Sequence, residues 1–168
     1  MINALKEVLL NELKNLKDND EFITKWVNIS SKNLYSVADQ QAELLQNYSS
    51  NISKYKKIFF ILNCQNSANT YNNLKNGDIY FDNKYYLDLK VGSKDNQYTG
   101  AINKTSIDGF RSDGYYLCID YNFTKFYIFS HAEIVDALNN NKIKYRNYGD
   151  GNFLGEHDYN KIFKPIII

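Results

Sequence analysis

Two carboxylates and a lysine stand out in this chain: Asp78, Asp88 and, two positions after the second, Lys90. They lie in the stretch 77–91, which reads as two short strands around a turn. Ile79 and Phe81 alternate with polar positions on the first run, and Tyr85, Leu87, Leu89 and Val91 do so on the second. A one-residue slip in register would send a whole apolar set into water. A two-residue loop of Asn83-Lys84 pairs Asp82 with Tyr85 and mixes the faces. A three-residue loop of Asp82-Asn83-Lys84 pairs Phe81 with Tyr85 and Ile79 with Leu87. The opposite face then sets Asp78 across from Asp88, with Lys90 further along. Directly opposed residues have Cβ atoms about 4.5–5.5 Å apart, where like charges destabilise. A hard divalent cation relieves that repulsion, and Mg²⁺ typically takes one or two carboxylates plus waters and substrate phosphates. Lys90 adds a second positive group without competing for the metal. Metal, phosphate and lysine together point to metal-assisted phosphodiester hydrolysis.

Asp78, nine intervening residues and then Asp88-Leu89-Lys90 resemble the signature of the PD-(D/E)XK nuclease superfamily, most like a small type II restriction endonuclease. The chain departs from that pattern at Gly77, which stands where the pattern has Pro. The resemblance covers residues 35–135. It implies a three-layer αβα core of α/β class with a mixed central sheet flanked by helices. It also implies Mg²⁺ as cofactor, with Asp78, Asp88 and the Leu89 carbonyl as its ligands and Asp78, Asp88 and Lys90 as the catalytic set. The implied activity is Mg²⁺-dependent, restriction-type cleavage of double-stranded DNA, and cutting both strands of a palindrome calls for a homodimer.

The elements needed to position these residues are legible in part. Residues 2–17 read as a helix with Ile2, Leu5, Val8, Leu9, Leu13 and Leu16 on one stripe. A second helix is expected at 20–28, burying Phe22, Ile23, Trp26 and Val27, and a third from about Ser36, with Leu34, Val37, Ala38, Ala42 and Leu45 on one side. Glu12 and Glu43 are the two candidates for a helical acid completing the metal site, each with an ordinary solvated role as the alternative. Residues 57–62 form an apolar run of strand length, or the end of a helix beginning near Asn51. A polar loop over 63–76 leads to the hairpin. A short helix at about 101–110, strands at 114–121 and 126–129, and a helix capped by Ser130 and Glu133 follow. This order matches the superfamily's αβββαβ core. One domain of 1–168 is expected, with a helical extension at 1–35 that could form a dimer interface, a core at 36–138 and a DNA-contacting segment at 139–168.

DNA contacts are expected from Ser93, Lys94, Asn96, Gln97 and Thr99 after the second strand, from Lys104 and Arg111, and from Lys142, Lys144, Arg146, Asn147 and Asn152. The net charge of +1 gives no global basic field, so such a surface must arise by local clustering. The chain is long enough for one domain with a sizeable core. Two cysteines, Cys64 and Cys118, are too few for a zinc site and are expected to be reduced and buried. His131 and His157 lack the partners of a metal or nucleophile site. No apolar signal-peptide core and no membrane-length apolar run are present, so a cytoplasmic location with no membrane association is expected. The rival readings are a non-catalytic α/β module binding nucleic acid or protein, a repair or junction nuclease on the same scaffold, and a toxin or RNase.

Overall fold

Leu5, Leu9, Leu13 and Leu16 recur at helical spacing, and α1 (Ile2–Lys17) turns all four into the interior. The structure is a computed structural model describing residues 2–29, 37–54, 76–147, 149 and 151–168. In α2 (Asp20–Val27) the Asn19 side chain caps the first turn by accepting from the Phe22 N–H at 3.1 Å. Phe22 and Trp26 are fully enclosed, and the Trp26 indole N–H donates to the Tyr121 carbonyl at 2.8 Å. The third helix, α3 (Val37–Tyr48), leads directly into β1 (Ile52–Lys54).

Strands β1, β2 (Ile79–Phe81), β3 (Tyr85–Val91), β5 (Tyr115–Ile119), β6 (Lys125–Ser130) and β9 (Ile166–Ile167) form one sheet in that spatial order. Only β3 and β5 run parallel; the remaining neighbours are antiparallel. The parallel pair requires a crossover, which is made by β4 (Ile102–Asn103) and α4 (Lys104–Gly109). Beyond β6, α5 (His131–Asn139) begins with the expected capping box of Ser130 and Glu133. A second, three-stranded sheet joins β4 to β8 (Asn152–Leu154) and β8 to β7 (Arg146–Asn147), followed by α6 (Glu156–Tyr159). The chain is thus mixed α/β with a mixed central sheet.

Strand alternation divides the interior in two. Ile79, Phe81, Leu87, Leu89, Leu117, Ile119, Phe126 and Ile128 face α1, α2 and α3. Tyr116, Cys118, Tyr127 and Phe129 face the other way, against Ile107 of α4, Ile134 and Ala137 of α5, and Tyr159. Each fully buried large apolar side chain contributes about 1.5–3 kcal/mol, so the leucines of α1 are integral to the first core. Residues 2–27 therefore do not stand apart as an extension. A partner surface on α1 would have to use its exposed side, where Val8 lies 42% exposed.

Ile52–Lys54 supplies the strand beside β2 and corrects the reading of a helix beginning near Asn51. The expected strand at 57–62, Cys64, Leu34 and the loop as far as residue 75 lie outside the described residues. Among the described residues no helix is long and apolar enough to cross a membrane.

Candidate active site

The hairpin of β2 and β3 has the three-residue loop and the register that the apolar alternation requires, Phe81 opposite Tyr85 and Ile79 opposite Leu87. Asp82 (φ 52°) and Asn83 (φ 50°) both occupy the left-handed region, which Asp and Asn tolerate better than other non-glycine residues. Gly77 also has a positive φ, 73°, and a Cβ at that position would lie 2.6 Å from the Leu87 carbonyl oxygen. Proline fixes φ near −65°, so the residue that the resembled pattern places before its first acid cannot be accommodated here. Glycine lets the chain turn tightly onto β3, and the Asp78 N–H donates to the Leu87 carbonyl at 3.0 Å.

The Asp78 side chain is pinned to the same strand, its Oδ2 accepting from the Leu89 N–H at 2.8 Å. In an antiparallel ladder the N–H and C=O of one residue point to the same side, so the Leu89 carbonyl opens beside this carboxylate. Asp88 is 8% exposed, and its Oδ2 lies 3.3 Å from Lys90 Nζ. Lys90 Nζ also donates to Ser106 Oγ at 3.0 Å. Ser106 is held in turn by α4, whose N-cap Asn103 accepts from the Ser106 N–H at 2.7 Å. The crossover helix thus fixes the lysine head over the two acids.

Electrostatics follow from this crowding. Burial, and then the charge of Asp88, hold the Asp78 carboxyl well above the usual carboxylate range, against the pull of Lys90 and of the Leu89 N–H. Burial by itself would lower the Lys90 pKa; the charges of Asp88 and Asp78 outweigh it and hold it raised. Lys90 is therefore an ammonium at neutral pH. Two close carboxylates, one of them reluctant to ionise, are a donor set that a hard dication fits. Among the described residues no cluster of three or more His, Cys, Asp or Glu side chains could hold a metal, so neither helical candidate joins the pair. Glu12 instead ties α1 to the chain after α3, accepting from the Ser49 hydroxyl and from Asn51 Nδ2 at 2.9 Å. Glu43 lies exposed on α3.

The expected DNA-contacting residues separate. Ser93, Lys94, Asn96 and Gln97 are exposed on the loop after β3, although Asn96 is engaged in its own turn with Ser93 Oγ at 2.7 Å and the Tyr98 N–H at 3.0 Å. Thr99 is corrected: it is 3% exposed and its hydroxyl bonds the Tyr159 hydroxyl in the second core. An isolated bridge to Asp120 draws it inward, away from the exposed polar residues before it. Lys104 pairs with Asp108 one helical turn away. Arg111 forks onto Asp113, with Nη2 to Oδ2 at 3.0 Å, and lies over the Tyr86 ring at 3.5 Å. Lys142, Lys144 and Arg146 share a shallow cleft of about 240 Å³ with Lys161 and Asp158, and Asn147 and Asn152 pair across β7 and β8.

His131 Nδ1 is 2.7 Å from the Tyr116 hydroxyl, and burial lowers its pKa. His157 meets the Tyr98 ring edge-on at 4.6 Å. Both are occupied in packing. Cys118 is buried, with its thiol pKa pushed up by burial. Sequence reasoning missed Ser106, although Asn103 three positions before it is a legible N-cap, and it missed the aromatic pair Tyr80 and Tyr86 on the site face. No family model, curated protein or solved structure matches the chain.

Proposed function

We propose that the chain is a Mg²⁺-dependent endodeoxyribonuclease of the PD-(D/E)XK type. The observation that carries the reading is the convergence of the half-buried Asp78, the buried Asp88 and the Lys90 ammonium on one sheet face. The succession α3, β1, β2, β3, β4, α4, β5, in which β4 belongs to the second sheet and β3 is parallel to β5, supports a restriction-endonuclease-like core. Asp78, Asp88 and the Leu89 carbonyl would hold the metal. When bound, the ion supplies Lewis-acid polarisation of the phosphoryl group and a lowered pKa for coordinated water.

The chain's own groups do the rest. Lys90, charged and fixed by Ser106, stabilises the negative charge that grows on the phosphoryl oxygens and orients the attacking water. Its raised pKa favours this role over that of a general base. The exposed Lys94, Lys142 and Lys144 supply cations for backbone phosphates. Within this proposal the site serves either restriction-type cutting of an intact palindrome by a homodimer or a repair or junction nuclease, in the cytoplasm in either case.

The test is incubation of the purified protein with supercoiled plasmid in Mg²⁺ or in EDTA. Nicked or linear products in Mg²⁺ only, abolished by Asp88→Asn, are expected. Intact plasmid in both Mg²⁺ and Mn²⁺ would favour a binding module whose acids serve only in ion pairs.

A further inference from the structure

Among the described residues the face that carries the acids is only half covered. Over β5 and β6 it is roofed by α4 and α5, whereas over β2 and β3 it carries Asp78, Tyr80, Tyr86, Asp88 and Lys90, of which both tyrosines are half-buried. Tyr80 pairs directly with Tyr86 across the ladder. Their ring centroids are 4.8 Å apart, tilted by 43°. The Arg111 guanidinium carbon lies over the same ring system, 3.5 Å from the Tyr86 ring centre. Its charge is already matched by the fork onto Asp113, and it donates to Asn76 Oδ1 at 3.4 Å. The group is thus anchored beside the Tyr86 ring and is poorly placed to serve as a free cation.

Strand geometry sets the distance to the chemistry. Tyr86 precedes Asp88 by two residues and Tyr80 follows Asp78 by two, which places the aromatic rung about 6.6–6.8 Å along the strands from the acid rung. That is a nucleotide's reach from a phosphate held at the acids. Bases inside a duplex are stacked on one another and hidden from protein rings. Aromatic and guanidinium planes bind bases that are unpaired, each stack being worth about 1–3 kcal/mol.

We propose that Tyr80, Tyr86 and Arg111 form a stacking platform for an unpaired base beside the scissile phosphate. The preferred substrate is then DNA with a single-stranded segment at the cut, such as a free strand or a flap, over a fully paired duplex. This inference rests on the nuclease reading and narrows it away from cleavage of an intact palindrome. A cross-strand tyrosine pair also steadies the hairpin, so substrate ranking is the informative readout.

The experiment measures binding of the full chain, in EDTA, by fluorescence anisotropy. The probes are a labelled single strand, the same strand in a blunt duplex, and that duplex carrying an unpaired flap. The free strand and the flap are expected to bind more tightly than the blunt duplex. Tyr80→Leu should weaken those two by about 5- to 100-fold, leaving the blunt duplex unchanged, while Tyr80→Phe should bind as the parent does. Blunt duplex bound as well as the flap, with all three probes indifferent to Tyr80→Leu, would overturn the platform and leave the nuclease reading standing. Binding of none of the probes would overturn both.

Discussion

Replacing Asp78 by Asn removes one negative charge while leaving an oxygen to accept the Leu89 N–H. At the roughly 5 Å separation of directly opposed side chains and an effective dielectric near 20, two carboxylates repel by about 3 kcal/mol. Lys90, 3.3 Å from Asp88, offsets part of this. A net penalty of about 1–3 kcal/mol on the metal-free protein remains once both acids are ionised. Asp78→Asn should relieve it, raising Tm in EDTA by about 2–10 °C for a chain of this size.

The pH dependence has a definite sign. Folding raises the Asp78 pKa, so between the ordinary carboxylate value and the raised one the folded state binds more protons. Wild-type stability therefore falls as pH rises through that window, and the loss is complete above the raised value. The variant's advantage should be largest at an alkaline pH, above the raised value, and shrink at an acid pH near the ordinary carboxylate value. Mg²⁺ should reverse the order, because it stabilises only a state that binds it. Thermal unfolding followed by circular dichroism, in EDTA and in Mg²⁺ at both pH values, makes the comparison. Unchanged or reduced Tm for Asp78→Asn at the higher pH in EDTA would refute the repulsion argument. So would equal stabilisation of both proteins by Mg²⁺.

Three further outcomes are expected. Gly77→Ala should lose at least about 2 kcal/mol in urea denaturation, since a left-handed non-glycine residue costs about 1–2 kcal/mol and its Cβ would sit 2.6 Å from the Leu87 oxygen; parent-like stability would contradict the strain. Ser106→Ala should slow DNA cleavage about tenfold with KM little changed, because a hydrogen bond to a charged group is worth about 1.5–3 kcal/mol; an unaltered rate would show that Lys90 needs no support from α4. Glu12→Ala should cost about 1–3 kcal/mol by stranding the Ser49 and Asn51 donors, while cleavage per folded molecule stays at the parent level. A large loss of activity in the folded Glu12 variant would return this residue to the metal site.

How much could be read in advance depended on periodicity. The hairpin register was legible because only one loop length keeps Ile79, Phe81, Tyr85 and Leu87 on one side. The α1 stripe was legible for the same reason, apart from Val8, which lies at the stripe's edge and stays exposed. Ile52–Lys54 is too short to carry a period, and its strand conformation comes from pairing with β2. The small second sheet is likewise tertiary in origin, since Ile102, Asn103 and Arg146 gain partners only when the C-terminal segment folds back. At the site, the two acids and the lysine followed from spacing. The positive φ of Gly77, the grip of Ser106 on Lys90 and the inward turn of Thr99 depend on contacts made across the fold, and single-sequence spacing holds no record of them.

The central claim is that Asp78, Asp88 and Lys90 act together on one phosphodiester. Its most direct test is the cleavage rate of Lys90→Ala on DNA in Mg²⁺, with Mg²⁺ binding measured on the same preparation. Metal binding should persist and the rate should fall by about 10²–10³, the usual cost of removing one preorganised charge stabiliser. Undiminished cleavage by a folded, metal-binding Lys90→Ala protein would contradict it.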